Sequence, residues 1–101
     1  MNNIDKVSEI NYQNVANYIR LSEISQDDIY TLNNLINISI AYIMGYTGLT
    51  QVQLDEHQDL IIVVLVLCQD MWDNRTLYVD NSNLNNVVES ILHLHSVNLL
   101  W

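Results

Sequence analysis

Turn-forming residues are nearly missing from this sequence, and that scarcity limits its fold more than any other feature. Among its 101 residues there is no proline, and the only glycines are Gly45 and Gly48. Tight hairpins need residues that tolerate a left-handed backbone, and no Asn-Gly or Asp-Gly pair is present. A meander of short strands is therefore disfavoured, and long helices joined by few connections become the expected solution. Half of the chain is apolar, enough for one core without metal or disulfide staples. The expected organisation is one domain over 1–101, with its core over about 12–95 and an apolar tail over 96–101.

Periodicity and capping residues place the helices. Residues 12–21 carry Tyr12, Val15, Tyr18 and Ile19 on one side, a short amphipathic first helix. Ser25 is a good N-cap, and Asp27 and Asp28 fall in the first turn, where the helix dipole favours negative charge. From there Ile29, Leu32, Leu35, Ile36, Ile40 and Ile43 form a stripe that Gly45 or Gly48 can end in a left-handed stop. Thr50 with Gln53 reads as a capping box opening a brief helix.

The run Leu60–Cys68 is apolar on every face and rich in β-branched residues, so a buried strand competes with a helix. Leu60, Val64, Leu67 and Met71 continue at helical spacing well past strand length, which favours a central helix with Leu65, Leu67 and Trp72 buried. Asp80 or Ser82 is expected to cap a last helix bearing Leu84, Val87, Val88, Ile91 and Leu92. The fold class is thus all-α, a small bundle of four to five helices around a central apolar one.

Charge excludes several functions. Twelve acidic residues face only Lys6, Arg20 and Arg75, for a net charge of −9. A DNA-gripping protein neutralises phosphates with many cations, and this chain offers almost none. Two relations to DNA survive: a surface that repels it, or one that imitates it. The longest apolar run is nine residues, against about 20 needed to span a bilayer, so no membrane segment is expected. Met1 to Asp5 shows no signal-peptide pattern, and the single Cys68 permits no internal disulfide, which suits a reducing compartment. Without a secretory signal, the glycosylation patterns at Asn37 and Asn74 are chance matches.

Few residues suggest chemistry. His93 and His95 with Cys68 could be imagined as metal ligands, but residues two apart on a helix point in nearly opposite directions. One His on the helix surface and one at its C-terminal end is the plainer arrangement, and no metal or other cofactor is expected. Asp55, Glu56, His57 and Asp59 form the densest polar cluster, placed in a solvated turn where general acid–base work finds no desolvated site. Asp55, Glu56 and Asp59 are candidates for an acidic surface. Cys68 lies among apolar neighbours with no cation to lower its pKa, so it is expected to be buried and inert. No catalytic residue is expected.

Trp72 and Arg75 end the apolar helix with a large aromatic and one of three cations, serving either as core plus an ordinary helix end or as an interface. Leu99, Leu100 and Trp101 either dock a partner or fold back onto the core.

The order of these pieces resembles the head–tail connector family of tailed phages. The shared features are an acidic turn after a short first helix (Ser22 to Asp28) and a long helix ending in Tyr46-Thr47-Gly48. A central apolar helix then finishes in Trp72-Asp73-Asn74-Arg75, and a final amphipathic helix runs from Asn83 to His93. The likeness spans about residues 12–100; it departs at the tail, where Leu99-Leu100-Trp101 carries no charge. It implies a non-enzymatic, homo-oligomeric ring that docks beneath the portal protein after DNA packaging and continues the DNA channel. It also implies tail-side adaptor partners and a place in the virion neck, after assembly in the host cytoplasm. A lumen lined with carboxylates would let DNA slide through without sticking. The rival from another class is a small acidic DNA mimic that binds a basic partner.

Overall fold

Local capping sets the helix starts. In a computed structural model, which describes residues 5–96, five α-helices appear: α1 Tyr12–Tyr18, α2 Gln26–Thr47, α3 Gln51–Leu54, α4 Asp59–Asn74 and α5 Asn86–His95. Short 3-10 turns cover Val7–Glu9 and Asn81–Asn83, and no strand occurs among the described residues. The chain is all-α, as its sequence predicts.

Asn11, Ser25 and Thr50 each accept a backbone N–H of the following turn, while Asn14, Asp28 and Gln53 return a bond to the cap backbone. Such caps contribute about 1 kcal/mol each. Thr47 closes α2 from within. Its buried hydroxyl donates to the Ile43 carbonyl at 2.7 Å and accepts from Leu49 N–H at 3.2 Å. Gly48 then takes the left-handed stop at φ 78°. Of the two candidate glycines, Gly45 sits inside the helix.

Two boundaries differ from expectation. Helix α1 ends at Tyr18 rather than near residue 21, because Arg20 turns left-handed at φ 64° and Leu21 N–H bonds back to Ala16 O at 2.9 Å. The same device ends α4, where Arg75 has φ 56° and Thr76 N–H reaches Met71 O at 3.0 Å. Helix α5 begins late. The capping oxygen of Asp80 is taken by Ser82 in the Asn81–Asn83 turn, so Asn85 caps α5 by accepting from Val87 and Val88 N–H. Leu84 therefore precedes the helix, half-buried.

Helix α4 lies at the centre, packed against α1, α2, α5 and the Val7–Glu9 turn. It runs antiparallel to α2: Asp28 and Thr31 of α2 flank Trp72 and Arg75, and Ser39 meets Cys68 midway. Leu60, Val63, Val64, Leu67, Cys68 and Met71 are buried at helical spacing. The burial pattern corrects two expectations, for Leu65 and Trp72 are only half-buried. The core also takes in Val7 and Ile10, ahead of residue 12. Within Leu60–Cys68 Ile62 is exposed, at 41%, and Ile61, Leu65 and Val66 are half-buried, so one strip of the apolar surface of α4 reaches solvent. No described helix is long and apolar enough to cross a membrane.

Candidate functional site

The candidate residues fall at opposite ends of α4. Its 16 residues rise about 24 Å, so Asp59 and Arg75 are separated by roughly the length of the bundle's core.

At the C-terminal end Trp72 packs its ring against the core, and the Arg75 guanidinium lies 5.6 Å from the ring centroid. This is cation–π distance at a solvent-exposed position, a contact of about 0.5–1 kcal/mol. Trp72 and Arg75 line a shallow cleft of about 210 Å³ with Asp28, Thr31 and Leu77. Just beyond, Leu77 and Tyr78 are 64% and 62% exposed. Sequence reasoning passed over this pair because it belongs to no periodic segment. Its signal was its position, two large side chains directly after a helix stop.

A second hollow of about 440 Å³ opens beside it, lined in part by Asp70, Thr76, Tyr78 and Asp80. Partial burial and the neighbouring Asp73 charge push the Asp70 carboxyl above the usual carboxylate range. Asp80 is held below that range by the hydroxyl of Ser82 and the amide of Asn83. Two carboxyls pushed in opposite directions can signal acid–base chemistry. Here the Asp80 bonds all belong to a local turn, so its lowered value has a structural cause.

At the N-terminal end of α4 the three acidic candidates have different surroundings. Asp55 follows α3 and accepts from Ser8 N–H at 2.9 Å and Ser8 Oγ at 2.8 Å, tying the N-terminal turn to the middle of the chain. Burial works to raise its pKa, but the Ser8 bonds outweigh it and the carboxyl sits below its usual value. Glu56 is exposed. Asp59 opens α4, and its Oδ2 lies 2.7 Å from Nε2 of His95 on α5. The His57 ring stacks on His95 with centroids 4.2 Å apart. The sequence pairs His95 with His93 and sets His57 apart in a solvated turn, whereas the fold brings His95, His57 and Asp59 together and leaves His93 exposed.

Cys68 is buried, its thiol pushed up to about 11 by desolvation, with Ser39 Oγ 3.5 Å from the sulfur. That is the environment of an unreactive thiol. Leu99, Leu100 and Trp101 lie outside the described residues. Compared with known proteins, the chain matches no family model, no curated protein and no solved structure.

Proposed function

We propose that this chain is a non-enzymatic structural subunit of a phage head–tail connector ring, seated beneath the portal and continuing the DNA channel. The observation that carries this is the exposed corner after α4. Trp72, Arg75, Leu77 and Tyr78 form an aromatic, apolar and cationic patch on an otherwise acidic, cation-poor chain. Aromatics and arginine dominate protein–protein contacts, and an acidic neighbouring subunit would complement Arg75. The resemblance in element order adds to this. Both motif turns, Tyr46-Thr47-Gly48 and Trp72-Asp73-Asn74-Arg75, sit where a left-handed residue closes a core helix. The net charge of −9 gives the ring a surface that DNA slides past.

The DNA-mimic alternative is weaker on the geometry. Phosphate imitation needs free carboxylates, and two of the three clustered ones, Asp55 and Asp59, bind Ser8 and His95 within the chain.

Electron microscopy of assembled particles tests the proposal: a closed ring at the neck is expected, and a single copy or none overturns it. Arg75→Gly provides a second readout. Glycine suits the left-handed backbone of residue 75, so melting should be unchanged while ring completion falls. A gel shift should show no duplex DNA binding at physiological salt, and micromolar retention would remove the channel argument.

A further inference from the structure

We infer that His57, Asp59 and His95 form a binding site for a zinc-class transition-metal ion, which clasps α5 to the turn between α3 and α4. Their ligand atoms all lie within 4.8 Å of one another. Four-coordinate zinc with bonds of about 2.0–2.2 Å places its ligand atoms roughly 3.3 Å apart. The 2.7 Å contact between Asp59 Oδ2 and His95 Nε2 has to open slightly, while His57 already has a ligand atom within 4.8 Å of the other two.

The donor set selects the metal class. Two imidazoles and one carboxylate suit zinc, cobalt or nickel, whereas calcium and magnesium take oxygen ligands. Backbone positions favour the set as well. His57 precedes α4, Asp59 is its first residue and His95 the last of α5, so all three sit at helix ends whose placement the core fixes. His57 and His95 are half-buried and stacked at 4.2 Å with their planes 35° apart. An ion shared by the two rings would hold them in that arrangement. With three protein ligands the fourth position faces solvent, beside the exposed Asp59.

Binding is a proton exchange. The hydrogen bond between His95 Nε2 and Asp59 is given up: the Nε2 proton moves through solvent to Nδ1 of the same ring, leaving a neutral imidazole whose Nε2 lone pair goes to the ion. No oxidant or reductant is involved. The consequence is mechanical: a tie across 36 residues joins α5 to the head of α4. Ser96, the next residue, already donates from Oγ to the Tyr46 carbonyl at 3.3 Å, fastening the same end of α5 to α2.

Titration of the purified full chain with zinc chloride, and separately with cobalt chloride, provides the test. The expected result is one ion per chain at micromolar affinity or tighter, tetrahedral cobalt absorption in the visible, and a melting temperature raised by several degrees. His57→Ala and His95→Ala should each weaken binding by more than about 100-fold, while His93→Ala leaves it unchanged. If His95→Ala fails to fold, His57→Ala and the cobalt spectrum of the unaltered chain still decide. No binding at millimolar metal, affinity unaffected by His57→Ala, or affinity lost in His93→Ala would overturn the site. None of these outcomes depends on the connector proposal, because metal binding is read on the isolated protein.

Discussion

Leu67→Ala tests the placement of α4 most directly. Leu67 is 2% exposed at the middle of that helix, facing the packed centre of the bundle. The substitution removes three carbons, about 2.4 kcal/mol at about 0.8 kcal/mol each. Incomplete collapse leaves a cavity; about 40 Å³ at roughly 24 cal/mol per Å³ adds about 1 kcal/mol. The sum, about 3.4 kcal/mol, lies within the range of about 2–5 kcal/mol seen for buried Leu→Ala changes. In a domain of this size each kcal/mol moves the melting temperature by about 5 °C, so a drop of roughly 15 °C is expected.

The assay is thermal melting by far-UV circular dichroism, with urea unfolding to check that the slope is unchanged. Ile62→Ala is the control: at 41% exposure it should cost under about 1 kcal/mol. The comparison is sharper than either variant alone, because the register of α4 buries Leu67 and leaves Ile62 exposed. A Leu67→Ala protein melting within about 3 °C of the parent, or an Ile62→Ala cost equal to that of Leu67→Ala, would refute the helical register.

Cys68 should resist a thiol-specific disulfide reagent in the native state and react only as fast as the chain unfolds; rapid native labelling at neutral pH would contradict its burial. Asp70 and Asp55 should show opposite pH signatures. The Asp70 pKa is raised above 3.8 in the fold, so its contribution is lost as pH climbs through that raised value; Asp70→Asn should raise the melting temperature at pH 7 and have no effect well below pH 3.8. The Asp55 pKa is lowered, so its stabilisation is present above pH 3.8 and lost as pH falls through the lowered value; Asp55→Asn should lower the melting temperature at pH 7 by a few degrees and change nothing in strong acid. Melting curves of each variant at several pH values check both signs.

Elements specified by local chemistry were legible in the sequence. Ser25 with Asp28 and Thr50 with Gln53 cap as their spacing predicts, since a capping box involves four consecutive residues and little else. The stop at Gly48 follows from glycine's freedom at positive φ, but the choice of Gly48 over Gly45 is made by the Thr47 hydroxyl, a bond no periodicity reveals. Arginine carries no sequence mark for a left-handed backbone, so the end of α1 at Arg20 could not be read. The start of α5 was misplaced because Asp80 is a sound cap whose capacity the Asn81–Asn83 turn takes up. At the candidate site the acidic cluster was visible as composition. The meeting of His57 and Asp59 with His95 was not, since it depends on how α5 returns across the bundle.

The two ends of this bundle are held in different ways, and the difference bears on what each can do. Ser8 to Asp55, Asp59 to His95 and Ser96 to Tyr46 all join distant segments near the head of α4. The contact of Ser39 with Cys68, by contrast, lies midway along α4. Covering the head of α4 with a partner would mean competing with bonds that secure the N-terminal turn and α5. The opposite end is held by apolar packing of Trp72 and by backbone bonds at Arg75, with Leu77 and Tyr78 standing clear. A partner can bury those two side chains and enclose the Arg75–Trp72 contact without breaking a tertiary hydrogen bond. Lower dielectric would then strengthen that contact, so the gain from association falls where folding has committed least. Under the proposed function, one end of α4 would fix the fold and the other would meet the neighbouring subunit.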